Sequence, residues 1–403
     1  MLIGRLVETR QNGLLSYSGL LGIGDGDSWL DVREALVQHQ MDVYLNGGDF
    51  QKYASYDTEP AFFGSAYGLI DELTGFTPSQ NLKLFHVLTS VLTAAAFSIF
   101  IVWVDLEFNI FAAVLTLFFV MTSEWLALFA GSIYWNLWAY YLPFLGVLFY
   151  FRRVSQNQKY STQKIFLLVY ITVLITGLVR GFLFETTTLI MLTVPLFYYA
   201  VKDAWGWTTF IKRMLTVSVS ALAGTFTAFG VLVLQIAFVE GSLGSAWAHI
   251  QDSLLKRSFA NPDQFSGVMA ESLKANWLDV LQIYFQGRAL NLNGVLHTKI
   301  NGFEISYGSI ILFFAVCTAL FFIKEFLVER SFTKNKTALG LIFCTWASIL
   351  APLSWLVLFK AHSFIHTHTN FILWQMPFVL FGFCLCGFVL STLIQRGPGR
   401  QRA

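Results

Sequence analysis

The sequence predicts an all-α polytopic membrane protein with about nine transmembrane helices and amphipathic helices on the extracytoplasmic side. Three observations carry this. Of the 403 residues 56% are hydrophobic and only 12% are charged, with a mean hydropathy of +0.60, whereas a soluble domain carries about 25% charged residues. Nine segments approach the roughly 20 apolar residues that a spanning helix needs. Lys and Arg recur in short loops on one side of those segments, which marks that side as cytoplasmic.

The nine spans are placed near 83–104, 108–122, 135–151, 165–179, 186–201, 214–239, 307–323, 337–359 and 370–394. The loops 152–164, 202–213 and 324–336 and the tail from 395 hold fourteen of the 26 Lys and Arg. These loops are therefore expected inside, and the C-terminus is expected in the cytoplasm. The acidic loop 105–107 also falls inside and is the one departure from the pattern. The residues divide into an extracytoplasmic loop with an amphipathic helix (1–82), a first transmembrane block (83–239), an extracytoplasmic helical loop (240–306) and a second transmembrane block with a cytoplasmic tail (307–403). An exterior leader has no apolar segment ahead of it here, so the natural protein is expected to carry one more N-terminal helix, giving ten. The expected location is the bacterial inner membrane.

Three non-spanning regions have readable structure. Residues 123–135 (SEWLALFAGSIYW) read as an interfacial helix with aromatic anchors at headgroup depth. The second exterior region shows helical patterns at 245–257 and 269–285. Turns and a short hairpin follow before the next span. The four cysteines, Cys317, Cys344, Cys384 and Cys386, all fall in apolar segments. They read as small packing residues and imply no disulfide framework. The net charge of +2 is spread over loops, and no nucleic-acid face is formed.

Candidate functional residues cluster in the expected exterior regions. Asp25 and Asp27 lie in GDGDS. Two carboxylates on a pliable backbone can share a divalent cation, Mg or Mn, and present it to a phosphate; the same sequence also suits a tight turn. Asp57 and Glu59 precede Pro60 and the amphipathic stretch 61–73. They suit the cap of a helix N-terminus, or a base that deprotonates an acceptor hydroxyl at the membrane surface. Tyr56 beside them suits contact with the membrane surface, or stacking on a sugar ring.

Arg180 and Glu185 flank a short turn between two spans. Either they pair with each other or Arg180 holds a lipid-linked phosphate. The turn KAHSFIHTHTNFILW brings Lys360, His362, His366 and His368 together. His362 and His366 share a face if the stretch is helical. The cluster reads either as plain interfacial histidines or as a site in which Lys360 and one or two His bind phosphate or move a proton; zinc fits less well, since neither HExxH nor a Cys pair completes a metal site.

With its acidic first exterior loop, the helix at 60–73 and the FAGSIYWNLWAYYLPF stretch, the layout resembles the GT-C class of integral membrane glycosyltransferases. That resemblance implies a polyprenyl-phosphate-linked sugar as donor and a lipid, glycan or protein as acceptor. It also implies a role in polysaccharide biosynthesis for the cell envelope. Under it, Asp57 or Glu59, or the pair Asp25 and Asp27, act as base, while Arg180, Lys360 and His362 neutralise the leaving phosphate. The chain departs from the class in lacking a span ahead of its acidic loop. Two other readings remain. One is a glycan polymerase or ligase with a polyprenyl-diphosphate donor, dependent on Arg180, Arg257, Arg288 and His362. The other is a polytopic transporter or flippase.

Overall fold

In the computed structural model, residues 78–132, 135–291, 304–330 and 335–395 are described, with isolated positions at 60, 62, 73, 74 and 76. The described residues are almost wholly helical. The long elements are α1 (Pro78–Glu107), α2 (Ile110–Thr122), α4 (Leu137–Ser155), α5 (Thr162–Arg180), α8 (Trp207–Glu240), α12 (Tyr307–Lys324), α13 (Lys336–Ser348) and α17 (Phe378–Gln395). Shorter helices join them: α3 (Glu124–Ala130), α6 (Glu185–Met191), α7 (Val194–Lys202), α9 (Leu243–Arg257), α10 (Gly267–Lys274), α11 (Trp277–Gln286), α14 (Leu350–Leu358), α15 (Lys360–Ile365) and α16 (Thr367–Asn370). Among the described residues, five helical stretches are long and apolar enough to cross a membrane: Lys83–Glu107, Thr162–Arg180, Trp207–Ala237, Tyr307–Leu327 and Lys336–Leu358. Their outward faces are apolar, as at Leu312, Phe313, Val316 and Leu320 on α12.

Each of the nine apolar segments is mainly helical, but several are broken. The segment near 186–201 divides into α6 and α7, with Pro195 in the first turn of α7, where the missing N–H costs nothing. The segment 370–394 begins as a 3₁₀ turn at Phe371–Gln375, and its regular helix starts only after Pro377. The expected helix at 269–285 is two, α10 and α11, because Asn276 caps a new N-terminus by accepting from Leu278 N at 3.2 Å. The expected hairpin is present as β1 (Arg288–Asn291) and β2 (Glu304–Ser306), antiparallel with Arg288 opposite Ser306 and Asn291 opposite Glu304.

The interfacial reading of 123–135 is corrected. α3 is helical, but Trp125 and Trp135 are buried. The Trp125 indole donates to the Arg288 carbonyl at 2.8 Å, and Trp135 stacks on Phe184 at 5.6 Å. These rings face the interior because the Trp125 N–H and the flat ring faces find partners there, where lipid offers neither.

Helices approach closely where one of them lacks a side chain. A Cβ on Gly224 of α8 would lie 2.9 Å from the Tyr170 carbonyl of α5. One on Gly340 of α13 would lie 2.9 Å from the Tyr198 carbonyl of α7, and one on Gly387 of α17 would lie 2.8 Å from Ala112 Cα of α2. Small residues at contacts are how helices associate when lipid is as apolar as their side chains.

Polar groups collect at two ends. At one end, the Glu107 carboxylate, 2% exposed, is held by Lys202 and by Arg152 Nε at 3.3 Å. It also accepts from the hydroxyls of Tyr198 at 3.0 Å and Tyr199 at 3.4 Å. The Arg213 guanidinium lies 4.0 Å from the centre of the Trp205 ring at the same end, and Lys324 Nζ donates to the Thr392 carbonyl at 3.1 Å. This is the end of the basic loops, and it explains why an acidic loop sits among them. Removing one partner of a buried pair leaves the other charges uncompensated, at a cost of about 3 kcal/mol. Glu107→Ala should therefore lower the thermal unfolding temperature in detergent, read by labelling of the buried cysteine thiols on heating.

Candidate functional site

At the end opposite the basic loops, two concave spaces meet at α9. This helix starts where the Ser242 hydroxyl accepts from Ser245 N at 3.0 Å, and it ends with Lys256 and Arg257, whose charge suits a helix C-terminus. Its inner face closes a cavity of about 530 Å³. The walls are Phe182 and Leu183 from the α5–α6 turn, Glu185 and Thr186 of α6, Phe229 and Leu232 of α8, Trp247, Ile250, Gln251, Leu254, Leu255 and Arg257 of α9, and Trp355 and Phe359 from the end of α14. Apart from Glu185, Thr186, Gln251 and Arg257 the lining is apolar or aromatic. Such a space suits a long hydrocarbon.

A smaller cleft of about 190 Å³ lies on the other side of Arg257. It is lined by Ser253, Lys256 and Arg257 of α9, Met269 of α10, and His362, Ile365 and His366 from α15. Two cationic side chains and two imidazoles thus face a cleft that shares its arginine with an apolar cavity. Cationic donors of this kind suit an oxyanion such as phosphate. Lys256 also pairs with Asp252 one turn earlier, an exposed ion pair of small energetic weight.

α15 is short, and its neighbours hold it. The Tyr284 hydroxyl donates to the Ser363 carbonyl at 2.8 Å, and Tyr307 donates to the Phe371 carbonyl at 3.2 Å. Phe371 packs against Gly287, where a Cβ would lie 1.9 Å from the ring. His362 and His366 do share a face, with ring centroids 4.4 Å apart, and Trp355 meets His362 edge-on at 5.6 Å. Asn370, fully buried, contacts His362 Nδ1 at 3.2 Å.

Other predicted residues are placed differently. Lys360 is not a cleft residue: its ammonium donates to the carbonyls of Leu273 at 2.7 Å and Ala275 at 2.6 Å, closing the C-terminus of α10. Its burial there holds the ammonium below the usual lysine range. Arg180 is not at the surface. It is fully buried, donates to the Tyr140 hydroxyl at 3.2 Å, and lies over the rings of Trp135 at 5.5 Å and Tyr140 at 5.3 Å. Phe184, which stacks on Trp135, packs edge-on to Trp355 of the cavity wall. Arg180 thus braces that wall through its aromatic neighbours. It does not pair with Glu185 among the described residues; Glu185 instead accepts from the Thr225 hydroxyl at 2.6 Å. Arg288 pairs with Glu304 across the hairpin at 2.8 Å and does not line the cleft.

Asp25, Asp27, Tyr56, Asp57 and Glu59 lie outside the described residues, as does the stretch 61–73 apart from Phe62 and Leu73. Among the described residues, no three His, Cys, Asp or Glu come close enough to hold a metal ion. Sequence reasoning passed over Lys256 and Gln251 and named Arg257 only for a diphosphate-lipid enzyme. The available signal was the basic pair ending an amphipathic helix.

No protein-family model, curated protein or solved structure matches the chain.

Glu185 is the first residue of α6 and is half-buried. Desolvation there raises its carboxyl from the ordinary 4.5 to about 7, partly offset by the Thr225 hydrogen bond. Because the folded value lies above the unfolded one, Glu185 contributes most to stability below pH 4.5, and that contribution is lost as pH rises through about 7. Thermal unfolding of the wild type should therefore fall between pH 5 and 8 relative to Glu185→Gln, which cannot titrate. Parallel curves for the two proteins would contradict this placement of the carboxyl.

Proposed function

We propose that the chain is an integral membrane glycosyltransferase that moves a sugar from a polyprenyl-phosphate donor to a lipid, glycan or protein acceptor. One observation carries the reading: Arg257 lies on both the apolar cavity and the cationic cleft. The donor is an amphiphile with the same order of parts, a long hydrocarbon, then a phosphate, then a sugar. The cavity takes the isoprenoid, Arg257 with Lys256 takes the phosphate, and the cleft beside His362 and His366 takes the sugar.

The proposed topology has nine crossings, with the basic loops in the cytoplasm and the site at the outer face of a bacterial inner membrane. The C-terminal tail is then cytoplasmic. The pairing of Glu107 with Arg152 and Lys202 supports this alternation, because it puts the acidic loop at the basic end with its charge neutralised.

In the reaction the acceptor hydroxyl oxygen attacks the anomeric carbon and forms the new glycosidic bond. The bond from that carbon to the phosphate oxygen breaks, and its electron pair stays on the phosphate, where Arg257 and Lys256 balance the added charge. The acceptor proton passes to a carboxylate, Asp57 or Glu59, or to the pair Asp25 and Asp27; if a divalent cation serves this site, that pair would hold it. A second reading has a specific observation in its favour. Arg257 and His362, the groups expected of a polymerase or ligase acting on polyprenyl-diphosphate donors, both line the cleft.

The test is transfer by the purified protein in nanodiscs from radiolabelled polyprenyl-phosphate and polyprenyl-diphosphate sugars. Wild type should transfer label from the monophosphate donor. Arg257→Ala should lower the rate by about 10²-fold, as loss of a charge-stabilising donor does. Asp57→Asn or Glu59→Gln should abolish it. Transfer from the diphosphate donor alone would establish the second reading, and transfer indifferent to Arg257 would remove both.

A further inference from the structure

The apolar cavity under α9 has an acid in its lining, Glu185. Among the described residues its carboxyl has one hydrogen-bond partner, the Thr225 hydroxyl of α8 at 2.6 Å, and no ion-pair partner. Phe182, Leu183, Phe229, Leu232 and Ile250 line the same space. The elements around Glu185 bring few charges toward it. α8 carries no acidic or basic side chain from Met214 to Val239, and α14 carries none at all. α9 contributes Arg257 to the lining. Behind the wall, Arg180 of α5 is buried against Tyr140 of α4 and donates to its hydroxyl. His362 and His366 line the neighbouring cleft. Glu185 and Arg257 are thus the titratable groups of the cavity among the described residues, and an arginine keeps its charge at any ordinary pH.

A carboxylate in such a wall stays ionised only while water reaches it. A hydrocarbon chain that fills the cavity expels that water, and a carboxylate left against hydrocarbon takes up a proton in preference to remaining a buried charge. We propose that Glu185 couples occupancy of the cavity to a proton: a long hydrocarbon enters when the carboxyl is neutral and is disfavoured when it is ionised. This rests on the placement of the isoprenoid in the cavity given above. A donor phosphate on Arg257 acts in the same direction, because it engages the cation of the lining and brings further negative charge to it. Burial already raises the carboxyl to about 7, against the lowering effect of the Thr225 hydrogen bond. The hydrocarbon-bound value lies higher still. Hydrocarbon affinity is therefore full below about pH 7 and falls as pH rises through that value, and binding above it draws in a proton. By reciprocity, the bound hydrocarbon holds the proton on Glu185.

The experiment uses the full chain in nanodiscs with tritiated farnesol, whose lack of a phosphate leaves the histidine cleft out of the measurement. Saturable binding is counted over protein-free nanodiscs. Wild type should bind farnesol about fivefold or more tightly at pH 6 than at pH 8.5. Glu185→Gln, a neutral isostere, should bind at both pH values as wild type does at pH 6. Farnesol added at pH 7.5 in weak buffer should draw protons from solution with wild type and none with Glu185→Gln, a signal that a merely structural role for Glu185 would not give. Gln251→Trp adds a ring to the cavity lining and should remove binding at both pH values, which locates the site. Wild-type binding that is absent or equal at the two pH values, or a pH dependence retained by Glu185→Gln, would overturn the proposal. Binding undiminished by Gln251→Trp would overturn it together with the placement of the isoprenoid. Proton-coupled farnesol binding by a protein that transfers no sugar would overturn the glycosyltransferase reading and leave the role of Glu185 standing.

Discussion

The buried carboxylate of Glu107 is the interaction on which the arrangement of the bundle depends. A charge with 2% of its surface exposed persists only if opposite charge and hydrogen-bond donors surround it. Arg152, Lys202, Tyr198 and Tyr199 do this, and they come from the ends of α4 and α7. Meeting their demands brings the α1–α2 turn, α4 and α7 to one point. The Trp103 indole extends the network by donating to the Tyr199 hydroxyl at 3.0 Å. Once that end is tied, glycine contacts between α5 and α8, α7 and α13, and α2 and α17 set how near the helices lie. Of these helices, α8 runs on to the opposite end, where with the α5–α6 turn, α9 and the end of α14 it walls the cavity.

The site follows from what those opposite ends can and cannot satisfy. Backbone carbonyls at the end of α10 need a donor, and Lys360 supplies it, which withdraws Lys360 from ligand binding. Arg180 is held among aromatic rings and stiffens the wall behind Trp355. Lys256 and Arg257, at the C-terminal end of α9 where the helix terminus favours positive charge, line the cleft. Arg257 therefore stands where an apolar cavity meets a polar cleft, a boundary that an amphiphile with an anionic head matches and a purely polar or purely apolar ligand does not.

Much of the fold was legible in the sequence because a bilayer imposes a one-dimensional rule, namely about 20 apolar residues per crossing. All nine apolar segments are helical in the main, and the hairpin and the helix expected at 245–257 were also readable. The break between α6 and α7, and that between α10 and α11, depend on single caps and prolines that hydropathy averages out. The inward burial of Trp125 and Trp135 was missed because composition cannot tell an interfacial ring from one that finds a carbonyl or a neighbouring ring inside the bundle. In the site, the shared face of His362 and His366 was visible from their spacing of four. The roles of Lys360 and Arg180 were not, because their partners lie about 90 and 40 residues away. Arg257 was hidden for the same reason: nothing local in LLKR says that a cavity forms on one side of it and a cleft on the other.

The measurement that bears most directly on this account is a structure of the full chain in nanodiscs containing a polyprenyl phosphate. The account predicts a hydrocarbon chain in the cavity between the α5–α6 turn, α8 and α9, with its phosphate on Arg257 and facing His362. A lipid seated elsewhere on the protein with this cavity empty, or a headgroup at the basic end beside Lys202 and Arg213, would contradict it.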